Sequence, residues 1–460
     1  MQIYEIGLVG VLMLLIGGAF VSAYRSRDQT MFWSPLTLFA AVFAYYFVVG
    51  PLLALGFGST SAYGVDFRPM MWKAWLAGLL GLASIYAGFA IRTRRFKERL
   101  AAGIPPELRR RFWRYFFALA GLGAVGFVYL AYVSGQSLAT LLLPIHGGMG
   151  LDLNSSEREG LAAGNYLLLM INVFIPAMCL LSALQIDQPL PRRLLLVVLP
   201  AVQVAFFYAS LGFRHRIVIL ALSMAATTYL MRRKRPNPGT LVLSAAGIVL
   251  GAGLIVMTRS YGRGLDLSQI AGLGLVDVFL GGFNDAGTFF TTALVIDSIP
   301  STFPYVGLNP LWIALTIPVP RTLWPNKPFP LFLEYFGSLT GTQGQAVPVV
   351  GEHYMMAGWV GIVVGGLIIG IIYRCFWEFY RANPGNPLVV TLYAVSWALC
   401  FPVVNRGYLA QTLMEFFFDL LPLVVLYRLS RNMMVAIGAR SPARSPGRPV
   451  VPTAPATLQG

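Results

Sequence analysis

The amino-acid sequence predicts an all-α polytopic membrane protein with about 11 transmembrane helices, up to 13, and one large outer loop containing short interfacial or re-entrant helices. Three observations predict this class. Hydrophobic residues make up 57% of the chain and charged residues 11%, whereas soluble proteins average roughly 45–50% and 25%. Apolar runs of membrane-crossing length recur along the chain, and basic residues cluster in alternate loops between them.

The transmembrane helices are predicted from apolar runs, each near the roughly 20 residues that a helix needs to cross a bilayer. The first run has no basic segment before it and no small-residue cleavage site, so we interpret it as a retained span. The eleven runs are 4–24, 31–56, 71–91, 115–134, 166–186, 194–213, 217–231, 241–257, 355–373, 387–404 and 411–427.

The basic residues predict the orientation, because Lys and Arg accumulate in cytoplasmic loops. If the N-terminus is outside, all but ten of the 34 basic residues fall in inner loops or in the tail, and no loop breaks the alternation. The C-terminus is then cytoplasmic. The net charge of +16 therefore reports topology, and no nucleic-acid partner is expected.

Four regions follow from this organisation. Residues 1–257 hold the first eight spans, 258–354 form the large outer loop, 355–430 hold the remaining spans, and 431–460 form a cytoplasmic tail. The last twenty residues are rich in Pro, Ala, Ser and Arg with almost nothing to bury, so the tail is expected to be disordered.

The outer loop is predicted to roof a cavity above the membrane. Its apolar stretches, 271–300 and 307–320, are short or interrupted by Asp, Gly and Pro. Such segments are typical of interfacial or re-entrant helices, and irregular backbone is tolerated at membrane depth where it lines a cavity. The alternative is that 283–299 and 307–320 both cross, which gives thirteen spans.

A proline-rich stretch, "IPVPRTLWPNKPFP", occupies 317–330 of this loop. Its five prolines exclude a regular helix, because each ring removes a backbone donor and crowds the preceding turn. We interpret it as a shaped loop whose backbone is preset by the prolines and which carries Arg321, Trp324 and Lys327. The alternative is that it only closes a helix bundle.

Ten basic residues lie outside, against the topology rule, and are therefore candidates for function. Several fixed cations that converge outside need a shared anion, although any one of them has the alternative of reaching lipid phosphate or pairing with a carboxylate. The ten are Arg68, Lys73, Arg158, Arg214, Arg216, Arg259, Arg263, Arg321, Lys327 and Arg406.

No metal or cofactor is expected. The three cysteines, Cys179, Cys375 and Cys400, have no CxxC spacing and fall in or beside apolar runs, as buried thiols do. The outer loops contain no HxH, DxD or HExxH spacing that would indicate metal ligands.

Four motifs, in order, resemble those of the oligosaccharide repeat-unit polymerases, the O-antigen or Wzy-type family. The resemblance covers about 210–410, and the N-terminal half is similar only in hydropathy. Where similar proteins often have Asn-Phe-Gly after the tyrosine, this chain has Met-Met-Ala-Gly at 355–358, positions that look like packing. The motifs are "TRSYGRG" (258–264), "IPVPRTLWPNKP" (317–328), "GEHYMMAGWVGIVVGGLIIG" (351–370) and "NRGY" (405–408).

The resemblance implies a metal-independent glycosyltransferase of the bacterial inner membrane with its active site and N-terminus on the periplasmic side. Such polymerases transfer a growing glycan from undecaprenyl pyrophosphate to another lipid-linked repeat unit, and thereby build O-antigen, capsule or exopolysaccharide. The implied partners are the undecaprenyl-pyrophosphate-linked oligosaccharide, membrane lipids, and a chain-length regulator and flippase of the same pathway.

This chemistry assigns roles to candidate residues. Arginine suits the leaving pyrophosphate because its planar fork binds phosphate oxygens and stays charged, whereas the acceptor hydroxyl needs a base. The predicted pyrophosphate contacts are Arg214, Arg216, Arg259, Arg263, Arg321, Lys327 and Arg406. The candidate catalytic bases are Glu352, His353 and His215. The candidate sugar contacts are Trp324 and Tyr354.

Structural alternatives stay open for these residues. Glu352 has the alternative of an ion pair with an arginine, and His215 that of a hydrogen bond to a carbonyl. Glu415 and Asp419, one turn apart on the last span, are expected to neutralise Arg406 or an inner arginine. Two rival functions also remain. One is an O-antigen ligase or lipid-linked-sugar glycosyltransferase, and the other is a transporter of lipid-linked oligosaccharides, which needs charges along a path through the membrane.

Overall fold

The computed structural model of the protein describes residues 1–62, 65–93, 106–134, 167, 169–210, 214–257, 274, 278, 287–316, 319, 323–328, 331–340 and 346–440. These residues are mostly helical, and their only strands are the antiparallel pair Ser61–Ala62 and Val65–Asp66. The helices are α1 (Ile3–Arg25), α2 (Pro35–Gly56), α3 (Met71–Ala90), α4 (Pro106–Ser134), α5 (Phe174–Leu184), α6 (Leu190–Tyr208), α7 (Arg214–Met231), α8 (Pro238–Met257), α9 (Thr288–Ser298), α10 (Asn309–Thr316), α11 (Leu331–Thr340), α12 (Val349–Ala382), α13 (Pro387–Asn405) and α14 (Leu409–Arg440).

The predicted fold class, an all-α polytopic membrane protein, is confirmed. Among the described residues, eight helices are long and apolar enough to cross a membrane, namely α1, α2, α3, α4, α6, α12, α13 and α14. Three shorter apolar helices, α5, α7 and α8, lie at the predicted fifth, seventh and eighth runs. Each of the eleven predicted runs therefore contains an apolar helix.

The helices at the two stretches of the thirteen-span alternative are short in the described part of the large loop. Helix α9 has 11 residues and α10 has 8, which at 1.5 Å per residue gives about 17 and 12 Å against a hydrocarbon core of about 30 Å. Helix α9 packs against α3 and α12. Its side chains are buried except that of Asp297, so it belongs to the helix bundle.

Two ends of predicted elements differ in the structure. Helix α12 begins at Val349, so the "GEHY" motif is helical where a loop up to residue 354 was expected. Helix α14 continues to Arg440, so the predicted disordered tail from 431 begins with ten helical residues. The remainder of the tail, 441–460, lies outside the described residues.

Helix α13 forms the centre of the bundle. Every residue from Pro387 to Ala398 is buried, and the helix packs against α5, α7 and α14. A helix that is apolar on all sides is stable only when other helices surround it. Its N-terminus is capped by the side chain of Asn386, which accepts a hydrogen bond from the backbone N–H of Leu388 at 3.0 Å.

Glycines allow α3 and α12 to pack with their backbones in close contact. A methyl group added at Gly88 would lie 2.2 Å from the carbonyl oxygen of Leu367, and one added at Gly370 would lie 2.2 Å from that of Ile85. Lipid tails are as apolar as Leu, so membrane helices associate through van der Waals packing between small residues instead of hydrophobic burial. The glycine-rich part of α12 is therefore the surface that docks on α3.

This packing predicts a stability effect. Gly370→Ala is expected to lower the free energy of unfolding by about 1–3 kcal/mol, because the methyl group overpacks against a backbone carbonyl that cannot rotate away. Equilibrium unfolding in detergent measures the change. Gly17→Ala in α1 is the matched control, since a methyl group there meets nothing within 4 Å. Equal stability of the two variants would contradict the proposed contact.

Among the described residues, two of the ten basic residues predicted to lie outside are paired with carboxylates. Arg68 donates two hydrogen bonds to buried Glu5, at 2.6 and 2.8 Å, and Lys73 donates to Asp297 at 2.7 Å. These bonds attach the start of α3 to α1 and to α9. The structural alternative therefore accounts for both cations without an external anion.

Candidate functional site

Two of the motifs found in the sequence meet in space. Glu352, in the first turn of α12, is 2% exposed, and each of its carboxylate oxygens lies 3.0 Å from the backbone nitrogen of Leu409. Leu409 is the first residue of α14, where N–H groups lack helical partners and a carboxylate is stabilised by the helix dipole. Glu352 thus caps α14 from another helix, and "GEHY" joins "NRGY" over 57 positions of sequence.

Gly407 allows this close approach. Its N–H donates to the carbonyl of Val347 at 2.6 Å, and a methyl group at Gly407 would lie 2.6 Å from backbone atoms of Pro348 and Val349. Only glycine fits between the two backbones without displacing one of them. The loop before α14 therefore lies directly on the start of α12.

Helix α12 consists of two helical parts that fold back on each other. The backbone leaves helical geometry at Ala357 and at Gly358, which has φ +62°, a value that favours glycine. In a straight helix, residues 353 and 365 would be about 18 Å apart. Here a methyl group at Gly365 would lie 2.2 Å from Nδ1 of His353, so the segment before the bend lies back along the segment after it.

An apolar groove starts at this fold-back. It is a cavity of about 660 Å³, within the roughly 300–1,000 Å³ of small-molecule sites. Helix α12 forms one wall, α14 another, and Leu308 and Leu311 at α10 cover one end. The polar side chains along it are those of Glu352, His353, Thr412 and Tyr373.

The groove opens toward the lipid. Four aliphatic side chains of α12 line it and are nevertheless exposed, namely Val360 at 68%, Val364 at 49%, Ile368 at 52% and Ile372 at 44%. They recur every fourth residue and so form one stripe along the helix. From Val360 to Phe376 the groove follows the helix over 16 steps of 1.5 Å, about 24 Å. A single hydrocarbon chain can lie along this stripe with its polar end at Glu352 and His353.

A second cluster of polar side chains is buried between α7 and α14. His215 and Glu415 are 4% exposed each, and Nε2 of His215 lies 3.1 Å from Oε1 of Glu415, which also accepts from Gln411 at 3.0 Å. Neighbouring Arg216 interacts electrostatically with Glu415 and Asp419 and lies over the ring of Tyr208 at 5.9 Å.

This cluster bears on the "FRHR" motif. Two of its basic side chains have intramolecular partners on α14: His215 is hydrogen-bonded to Glu415, and Arg216 interacts electrostatically with Glu415 and Asp419. The sequence predicts that Glu415 and Asp419 neutralise Arg406 or an inner arginine. In the structure Glu415 also interacts with His215 and Arg216, and Asp419 with Arg216. The predicted contact of Arg216 and His215 with substrate stays a prediction.

Arg406 and Tyr408 flank Gly407, a residue of the groove lining. Arg406 is half-buried, and its charge acts on His215 and on Arg216, while the next residue, Gly407, lines the groove. Burial, together with the charge of Glu352, raises the pKa of Tyr408 to about 12. Arg406 thus precedes a groove residue in the chain, while its charge acts on the buried cluster.

The described residues of the proline-rich stretch form hydrogen bonds with one another. Lys327 donates from Nζ to the carbonyl of Val319 at 3.1 Å and from its backbone N–H to Trp324 at 3.1 Å. Leu331 donates its N–H to the side chain of Asn309 at 3.3 Å. Trp324 is partly exposed, as a sugar-stacking residue must be. The loop is thus tied to α10, which covers one end of the groove.

The remaining candidates divide into buried residues and residues outside the described part of the chain. Tyr354 is 5% exposed and donates its hydroxyl to the carbonyl of Ile299 at 3.2 Å, so it packs the core. The structure does not describe Arg259, Arg263, Arg321 or the side chain of Arg214, so their predicted roles lie outside the described residues. Within the described residues, no group of three His, Cys, Asp or Glu side chains is arranged to hold a metal ion.

Sequence reasoning missed the groove, although a signal for it is present. Val360, Val364, Ile368 and Ile372 follow a spacing of four that marks one face of a helix. In a membrane span such a stripe is not distinctive, because every face is apolar. In comparisons with protein-family models, curated proteins and solved structures, nothing matches this chain.

Proposed function

We propose that the protein polymerises oligosaccharide repeat units carried on undecaprenyl pyrophosphate, by glycosyl transfer at the outer face of a bacterial inner membrane. The observation that carries the proposal is the lipid-open apolar groove whose head holds Glu352 and His353, with Gly407, the residue after Arg406, in its lining. A substrate with one long hydrocarbon tail and a polar anionic head matches this arrangement. The sequence resemblance supports the same class of substrate.

The groove explains how such a substrate would be placed. The isoprenoid tail lies along the aliphatic stripe of α12, entering sideways from the bilayer, and the pyrophosphate reaches the head of the groove near Arg406. Arg259, Arg263 and Arg321 of the large loop enter the proposal from the sequence as further cations for the leaving group. Trp324, partly exposed on the loop beside α10, is the proposed sugar contact.

Among the three candidate bases, the geometry favours His353. Glu352 caps α14 and His215 is paired with Glu415 inside the bundle, whereas His353 is partly exposed and lines the groove. In the proposed step the acceptor hydroxyl oxygen bonds to the anomeric carbon and passes its proton to the imidazole. The bond from that carbon to the phosphate oxygen breaks, and the electron pair leaves on the lipid pyrophosphate, which Arg406 stabilises.

The test is extension of an undecaprenyl-pyrophosphate-linked repeat unit by purified protein in detergent, with products resolved as a ladder. His353→Ala and Arg406→Ala are each expected to slow extension by about 10²-fold or more, since a general base contributes about 10²–10⁴-fold and one donor that stabilises developing charge about 10²–10³-fold. Glu352→Gln is the matched control, because its amide oxygen still accepts from Leu409 N–H and keeps the α14 cap.

The alternative outcomes separate the rival functions. Absence of a ladder from wild-type protein with a competent substrate would refute the polymerase. Transfer of a finished chain to a lipid A acceptor in the same assay would indicate a ligase. Movement of unextended lipid-linked units across a vesicle membrane would indicate a transporter. Loss of the ladder in Glu352→Gln with His353→Ala active would transfer the base role to Glu352.

A further inference from the structure

Two glycines of α12 form a notch that receives His353. A methyl group at Gly365 would lie 2.2 Å from Nδ1, 2.3 Å from Cε1 and 2.6 Å from Cγ of the imidazole. A methyl group at Gly361 would lie 2.0 Å from the carbonyl oxygen of His353. Gly365 thus faces the ring, and Gly361 faces the backbone that carries it.

Packing in the notch, more than hydrogen bonding, orients this imidazole. Within the described part of the chain the His353 side chain makes no hydrogen bond, whereas His215 is held by Glu415 at 3.1 Å. The imidazole is therefore positioned by its contact with the surface at Gly365. Close packing of this kind restricts the rotamers that a side chain can adopt.

The notch is distinct from the glycines that dock α12 on α3. Added methyl groups at Gly366 and Gly370 would meet atoms of α3, including backbone oxygens. The atoms nearest to Gly365 belong instead to one side chain, and Gly361, Gly365 and His353 all line the lipid groove. Helix packing explains the first pair of glycines and leaves the second pair unexplained.

We propose that Gly361 and Gly365 are positioning residues for the transfer reaction, holding the His353 imidazole at the head of the lipid groove where it meets the acceptor hydroxyl. This role rests on the proposed function. A reacting group displaced by about 1 Å can cost about 10²-fold in rate. A side chain at position 365 displaces the His353 ring and so misplaces the base. The fold is unchanged, because the ring can rotate away from the added side chain.

The experiment combines Gly365→Ala with His353→Ala in a double-mutant cycle. Gly365→Ala alone is expected to slow formation of the first product, a radiolabelled dimer of repeat units, by at least 10-fold. In the His353→Ala background the same change is expected to alter the residual rate by less than 2-fold, because the group that it displaces is gone. Gly17→Ala, with no atom within 4 Å of the added methyl group, is the control for a neutral glycine replacement.

A second measurement does not depend on polymerisation. Carbethoxylation of His353 by diethyl pyrocarbonate, followed by mass spectrometry, is expected to be faster in Gly365→Ala, because the methyl group displaces the ring from the notch. Buried His215, in the same molecule, is the internal reference and is expected to react at an unchanged rate. Unchanged labelling of His353 would overturn the notch itself.

The outcomes distinguish this inference from the function beneath it. If wild-type protein makes no dimer, the polymerase and the catalytic role of the notch both fail, even where labelling confirms the contact. If wild-type protein makes dimer and Gly365→Ala slows dimer formation by the same factor with and without His353→Ala, the positioning role alone is overturned. Equal activity of Gly365→Ala and wild type has the same consequence.

Discussion

Ile368→Trp is expected to abolish lipid-linked chain extension and to raise the dissociation constant for undecaprenyl phosphate at least 10-fold, which is about 1.4 kcal/mol. Ile368 lies midway along the exposed stripe of the groove, and an indole there fills the space that the tail would occupy. Binding is measured in nanodiscs by native mass spectrometry, with undecaprenyl phosphate and, separately, dioleoyl phosphatidic acid as probes.

The matched control is Leu421→Trp. Leu421 is a 40% exposed aliphatic residue on α14 that does not line the groove. It therefore reports the effect of a new indole in the lipid-facing surface alone. Undiminished binding of undecaprenyl phosphate by Ile368→Trp would show that the groove does not hold the tail. Equal competition by the two-chain lipid would show that the groove does not select a single-chain substrate.

Glu415→Ala is expected to destabilise the protein by about 3–5 kcal/mol, the usual cost of removing one partner from a buried charged pair, here the carboxylate that interacts with Arg216. The change leaves His215 and Arg216 without the nearest carboxylate in a part of the bundle where water does not compensate. Equilibrium unfolding in detergent reports the difference. Glu334→Ala, at an exposed position of α11, is expected to change stability by no more than about 1 kcal/mol.

A second variant shows whether the loss arises from charge. Glu415→Gln keeps the shape and a hydrogen-bond acceptor for His215 while removing the negative charge, so its cost is expected to be smaller than that of the alanine variant and larger than zero. If Glu415→Ala is as stable as Glu334→Ala, the cluster does not stabilise the bundle. That result would favour the predicted substrate role of His215 and Arg216 over a role in stability.

The membrane-spanning helices were predictable from local sequence because hydropathy acts locally. A run of about 20 apolar residues must cross or be buried wherever it lies in the chain. The fold class and the positions of α1, α2 and α3 follow from this alone. Helix ends were less predictable, as at Val349 and Arg440, because "GEHY" and the start of the tail contain polar residues that also occur in loops.

The candidate site was predictable only in part. The motifs indicated the neighbourhood of Glu352, His353 and Arg406, since polar residues at the end of a span suggest function. Sequence reasoning assigned Glu352 and His353 equivalent roles as candidate bases. The structure separates them, because adjacent positions on a helix point about 100° apart. One reaches Leu409 and the other reaches Gly365.

By itself, the sequence determined that the chain is helical, that it crosses a membrane many times, and where its polar segments interrupt the spans. Tertiary structure alone decided that α12 folds back at Gly358, that Glu352 caps a helix beginning 57 residues later, and that an aliphatic stripe becomes a groove. The physical reason is the distance along the chain over which each interaction acts. Hydropathy and proline geometry act over neighbouring residues, whereas a cap or a groove requires two distant segments to meet.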